Sequence, residues 1–142
     1  MTATDSADTA GEVVYQTTVT SIGEQVPAFV AAGILILFAD TAPEELHAIS
    51  VLHQADAQES GPQPGDLIEI AGTTIPVLAV GHVVADNLLN LGHMDLKSDG
   101  RHQVKLPGDV CVPVGSLVEP KVGDTIRIRR RVPTGAETGA SA

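Results

Sequence analysis

The sequence predicts an all-β domain: a small closed or nearly closed barrel, or a sandwich, of short strands with one or two short helices. Three observations predict it. Short apolar stretches rich in Val, Ile and Thr recur along the chain. Gly, Pro and Asp punctuate them at close intervals, with 14 Gly and 9 Pro in 142 residues. Only two stretches carry helix start and stop signals. Many short strands with tight turns fit a barrel or a sandwich better than a layered α/β fold.

Taken in order, residues 13–20 (Val-Val-Tyr-Gln-Thr-Thr-Val-Thr) are β-branched and partly alternating, which predicts the first strand. Residues 34–38 predict the second. A short helix is expected to begin at Thr41-Ala42-Pro43-Glu44, with Thr41 as cap, Pro43 in the first turn and Glu44 completing a capping box. Strands at 49–53, 67–70 and 74–83 follow. A second helix is expected over 86–92, with Asp86 at its start, Gly92 at its stop and Leu88, Leu89 and Leu91 available to the core. Strands at 93–96, 110–114 and 125–129 complete the set. Ala71-Gly72-Thr73 and Ser98-Asp99-Gly100 are turns between them. Gln63-Pro64-Gly65-Asp66 and Lys121-Val122-Gly123-Asp124 each launch an alternating strand, a repeat of turn chemistry and not of a domain. Residues 1–12 and 132–142 are small and polar and are expected to be disordered tails around one domain, 13–131.

Composition narrows the function. Aromatic residues make up 2% of the chain, with no Trp, and the net charge is −10, so neither base stacking nor phosphate-backbone binding is expected and nucleic acid is excluded as a partner. The longest apolar run, 26–39, is broken by Pro27 and Gly33 and is too short to span a bilayer. The N-terminus lacks the basic start and apolar centre of a signal peptide, and the single Cys111, in Val110-Cys111-Val112, reads as a buried apolar residue. A reducing cytoplasm is the expected location. Charge is also unevenly placed: every Lys and Arg lies at or beyond Lys97, while residues 1–96 carry thirteen of the eighteen acids.

No phosphate loop, paired-cysteine metal site, nucleophile elbow or His-Glu-x-x-His helix is present. Five histidines remain: His47, His53, His82, His93 and His102. Their spacing supplies no metal-ligand pattern, so no metal and no cofactor is expected. His53 ends the apolar run Ser50-Val51-Leu52 at a polar stretch, and the residues alone leave two readings. It is either a strand residue with satisfied ring nitrogens or an imidazole presented for chemistry, for which phosphoryl transfer suits a neutral ring near pH 7.

The residues from Val14 to Ile128 resemble the glucitol/sorbitol-specific IIA component of the bacterial phosphoenolpyruvate-dependent sugar phosphotransferase system (PTS). The resemblance is carried by Val14-Tyr15-Gln16-Thr17-Thr18-Val19-Thr20 with Ile22-Gly23, by Ala42-Pro43, by Val51-Leu52-His53 and by Pro76-Val77-Leu78-Ala79-Val80-Gly81. It continues through Asp86-Asn87-Leu88, Leu91-Gly92-His93, Asp99-Gly100 and Leu106-Pro107-Gly108; the order and spacing together are specific. The resemblance implies a phosphotransferase component in which His53 accepts a phosphoryl group from the general histidine phosphocarrier protein and passes it to a cysteine of the IIB component. The IIB/IIC permease would be the only link to the membrane. His93 is the expected supporting histidine. Family members can carry a second histidine two residues after the nucleophile, where this chain has Ala55. His82 lies in a looser part of the resemblance, and His47 and His102 are expected at the surface. A non-catalytic regulatory or ligand-binding β module on the same scaffold is the alternative, and a metal-dependent barrel enzyme a third. If His53 carries phosphate, the donors expected to hold it are backbone N–H groups of 54–65, with His93.

Overall fold

The computed structural model describes residues 11–131. Its nine strands are β1 (Glu12–Ile22), β2 (Ile34–Ala39), β3 (Val51–Gln58), β4 (Leu67–Ile70), β5 (Thr73–Pro76), β6 (Ala79–Val80), β7 (Met94–Lys97), β8 (Asp109–Cys111) and β9 (Thr125–Arg130). Two α-helices, α1 (Val26–Ala31) and α2 (Val84–Leu91), and a 3-10 helix (Glu44–Ile49) complete the order. Of the expected tails, 1–10 and 132–142 lie outside the described residues, and Glu12 already pairs with Arg130 in the sheet.

All nine strands form one curled, barrel-like sheet in the order β5-β4-β9-β1-β3-β2-β7-β8-β6. Its two end strands are consecutive in the chain, separated only by Val77-Leu78. The Val77 N–H donates to Asp66 O at 2.9 Å and the Leu78 N–H to Cys111 O at 2.8 Å. Adjacent residues therefore turn to opposite ends of the sheet, which leaves little free edge. This is why the single strand expected over 74–83 divides. Val77 still bonds beside β4, and the chain from Leu78 onward serves β8 instead.

Alternation along the strands places Tyr15, Thr17 and Val19 of β1, Leu35 and Leu37 of β2, and Ile126 and Ile128 of β9 in the interior. The helices differ more from expectation. The 3-10 helix starts at Glu44, after Pro43 in an extended conformation, and Thr41 does not cap it. It carries the crossover that the parallel pair β2–β3 needs. The apolar run 26–39 yields α1 as well as β2, with Pro27 in its first turn. Helix α2 begins two residues before Asp86 and stops at Gly92, as read. Its entry is tightly held: Gly81 donates to Asp109 O at 2.9 Å, and a Cβ on Gly81 would lie 2.0 Å from Pro107 O.

The repeated turns are the same turn built twice. Asp66 N–H bonds to Gln63 O and Asp124 N–H to Lys121 O, each at 3.0 Å. Gly65 and Gly123 take φ of 93° and 94°, the glycine-favouring position of a type II turn. Each Asp carboxylate then accepts the N–H of the turn's first residue, at 2.8 Å and 2.7 Å. The strands they launch, β4 and β9, are antiparallel neighbours. Asp66, 3% exposed, also receives two bonds from the Arg130 guanidinium, at 3.2 and 2.9 Å, and Arg130 reaches the Gly61 carbonyl at 2.9 Å. This fork ties the 59–66 segment to β9. Removing it leaves a buried carboxylate without its cation, so Arg130→Met is expected to lower unfolding stability by about 3 kcal/mol in urea titration.

Candidate functional site

β3 lies between antiparallel β1 and parallel β2, with His53 opposite Val19 on one side and Ala39 on the other. Two register shifts in the β1–β3 ladder, one with Asp56 of β3 as the extra residue and one with Thr20 of β1, bracket this stretch. The strand expected to end at His53 runs on to Gln58, exposed side chains begin at Gln54, and His53 itself is 1% exposed. The C-terminus of α2, which local pattern did not bring to this strand, covers the ring.

Both ring nitrogens are engaged. Nε2 lies 2.7 Å from the Gly92 carbonyl oxygen, which can only accept, so Nε2 carries a proton. Nδ1 lies 2.6 Å from Thr17 Oγ1, whose hydroxyl donates to it when the ring is neutral. Burial lowers the His53 pKa below the ordinary 6.5, opposed by the Gly92 bond and the Asp40 charge. The ring is therefore neutral at neutral pH. Gly92 is itself locked: its φ is +65°, and a Cβ would lie 2.6 Å from Ala39 N.

His53 opens onto a pocket of about 270 Å³ bounded by Tyr15, Asp40, Gln54, Gln58 and residues 89–92. Gly92, the partner of Nε2, lines it, and Thr17, the partner of Nδ1, does not. Tyr15, 1% exposed, meets His53 edge-on with ring centroids 6.5 Å apart. Its hydroxyl has no hydrogen-bond partner, and burial pushes its pKa up to about 12. No Lys or Arg lines the pocket. The cations of β9 turn elsewhere: Arg127 bonds Gln16 at 2.9 Å, Arg129 bonds Glu69 at 2.6 Å and Arg130 pairs with Asp66. The carbonyl end of α2 and Asp40 make the local field negative.

The other histidines are dispersed. His93 follows Gly92 but does not line the pocket; its ring stacks on Phe38 at 4.1 Å, bonds the Leu37 carbonyl at 3.2 Å, and approaches Asp95 at 3.6 Å. His47 is half-buried and not a surface residue, because its Nε2 bonds back to the Ala42 carbonyl at 2.9 Å. His82 and His102 are exposed. Among the described residues, no three His, Cys, Asp or Glu side chains converge on one point. A larger cavity, about 500 Å³ beside Lys97, Lys105 and Asp109, holds none of the histidines, and its Lys97 and Asp109 are paired at 2.9 Å. Cys111 is fully buried, as read, and burial is the main cause that pushes its thiol up to about 11. Sequence reasoning gave no role in the site to Tyr15 or Thr17, and read Gly92 only as a helix stop. The two-residue spacing of Tyr15 and Thr17, which puts both on one face of β1, was the available signal.

Comparison with known proteins places these features in context. The model of the family described as "PTS system glucitol/sorbitol-specific IIA component" matches residues 14–127. Two relatives carrying the description "PTS system glucitol/sorbitol-specific EIIA component", from Shigella flexneri and from Escherichia coli (strain K12), are each 36% identical over 110 residues. The match covers 76% of this chain and 89% of each relative. Among solved structures, the crystal structure of a PTS system IIA component from Enterococcus faecalis V583 superposes with a TM-score of 0.66 at 24% identity. It covers 78% of this chain and 96% of that one, a likeness of fold.

The lowered His53 pKa fixes the sign of a pH effect. The unfolded ring takes up a proton near pH 6.5, and the folded ring resists it, so His53 favours folding above that pH and penalises it below. Stability should therefore fall as the solution is acidified from about pH 6.5. Denaturant midpoints measured between pH 7.5 and 5.5 should show a smaller fall for His53→Gln than for the wild type; equal falls would contradict the neutral buried ring.

Proposed function

Because this chain belongs to the glucitol/sorbitol-specific IIA component family of the PTS system, we propose that it is a phosphoryl carrier whose acceptor is His53. It takes the group from the general histidine phosphocarrier protein and passes it to a cysteine of the IIB component, serving glucitol/sorbitol uptake. Its place is the cytoplasm, with the membrane reached only through the IIB/IIC permease. Among the described residues no helix is long and apolar enough to cross a membrane. One observation carries the reading: the histidine that the resemblance designates is neutral, fixed at both nitrogens and set at the floor of a pocket.

The chemistry follows from the ring's two partners. With the ring proton moved from Nε2 to Nδ1, Thr17 Oγ1 becomes the acceptor and Nε2 presents its lone pair to the pocket. That pair forms the new N–P bond as the carrier's N–P bond breaks, the bonding electrons staying on the carrier's nitrogen. No proton is lost to solvent. In the second step a partner thiolate forms an S–P bond, and the N–P electron pair returns to Nε2. Positioning dominates such transfers. The Gly92 carbonyl occupies the approach to Nε2 and the ring is 1% exposed, so the 89–92 rim must withdraw for the carrier to reach it. His93 acts here as a positioning residue: anchored on Phe38 and Leu37, it holds the turn that carries Gly92.

The burial of His53 also suits the alternative, a non-catalytic module in which the ring is structural. Incubation with phosphorylated carrier separates the two. His53→Gln should take up no phosphate while keeping its circular dichroism spectrum, and His93→Ala should still take it up, more slowly. Undiminished uptake by His53→Gln would overturn the assignment.

A further inference from the structure

We propose that the Tyr15 hydroxyl is the hydrogen-bond donor that holds the phosphoryl group on His53, so that Tyr15 is a catalytic residue of this carrier. The inference rests on the reading of His53 as the acceptor. It begins from what the pocket lacks. A phosphoryl group brings negative charge to a site with no lining Lys or Arg, beside a helix carbonyl end and Asp40. The three arginines of β9 are engaged elsewhere, Arg127 with Gln16 and Glu69, Arg129 with Glu69 and Arg130 with Asp66. The donors must therefore be neutral O–H or N–H groups. β3 pairs with β2 through His53 and with β1 through Gln58; beyond it the N–H groups of Glu59 and Ser60 bond the Val14 carbonyl, that of Gln63 the Asp66 carboxylate and that of Gly65 the Val77 carbonyl, so much of the segment expected to supply N–H groups is already engaged.

Tyr15 supplies what is missing. Its hydroxyl is buried without a partner, a costly state that native structures keep only for a reason. Among the described residues the other unpartnered buried hydroxyl, Ser50 Oγ, does not line this pocket, whereas Tyr15 does. Tyr15 and His53 line the same pocket and their rings meet edge-on with centroids 6.5 Å apart, so a group added to His53 in that pocket lies beside Tyr15. The raised phenol pKa keeps the proton on the oxygen throughout the working range, so it donates and never repels. Gln54, Gln58 and Asn90 also line the pocket, but all three are exposed and already hydrated. Two residues along the same face, Thr17 holds the far nitrogen of the ring. β1 thus divides the work, with Thr17 on the imidazole and Tyr15 on the phosphoryl oxygens.

The test is Tyr15→Phe, which deletes one oxygen. Its thermal stability should equal or exceed the wild type's, since the lost group had no partner to lose. Phosphate transfer from the carrier to His53 should slow about tenfold to a hundredfold, the loss typical for a hydrogen bond to a charged group. The phosphohistidine formed should also hydrolyse faster. In the wild type, the Tyr15 Cζ resonance should shift on phosphorylation, a readout that needs no variant. A wild-type rate and phosphohistidine lifetime in Tyr15→Phe, or an unmoved Cζ resonance, overturns the role of Tyr15 alone. Phosphate uptake by His53→Gln, or none by the wild type, overturns the reading of His53 and the Tyr15 proposal with it.

Discussion

The hydrogen bond from His53 Nε2 to the Gly92 carbonyl joins the parts of this molecule that matter most. It connects the middle of β3 to the end of α2 across 39 residues of sequence, at 2.7 Å and out of water. A buried imidazole with an unmet nitrogen would be costly, and a buried carbonyl likewise. Each satisfies the other, and Thr17 completes the set. The ring is therefore held in one orientation before any partner arrives, which is the condition for a transfer that depends on alignment.

Charge is separated along the chain and stays separated in the fold. Sheet order puts β9 between β4 and β1, so its arginines meet Glu69 and Asp66 and reinforce the barrel wall. They do not reach the histidine pocket. A site poor in cations binds a phosphoryl group less firmly than an arginine clamp would. Weak retention is compatible with the carrier role proposed for His53.

Much of this was legible in the sequence. The all-β barrel-like class, the eight expected strand regions and the Gly92 stop of α2 came from alternation, turn residues and a helix-stopping glycine. The turn repeat at Gly65-Asp66 and Gly123-Asp124 was legible because it is local. What was not legible depends on distant parts of the chain. The ends of the sheet meet at Val77-Leu78, which divides a seemingly continuous strand. The 3-10 helix displaced the Thr41 cap because the crossover to β3 leaves few residues. The burial of His53 could not be read from Ser50-Val51-Leu52, since the covering residue is Gly92. The resemblance designated the histidine; the tertiary contacts supplied its tautomer and its neighbours.

Helix α2 is fixed at one end and bears the site at the other. At its start, Gly81 is wedged against Pro107 with no room even for a methyl group; at its finish, the Gly92 carbonyl rests on the imidazole. Eight residues make a rod about 12 Å long, so a pivot of about 5° at the wedged end sweeps the far end by about 1 Å. That displacement is enough to break a 2.7 Å hydrogen bond. The helix thus has the geometry of a lever: a small rotation about its wedged end is amplified at the carbonyl that rests on the imidazole.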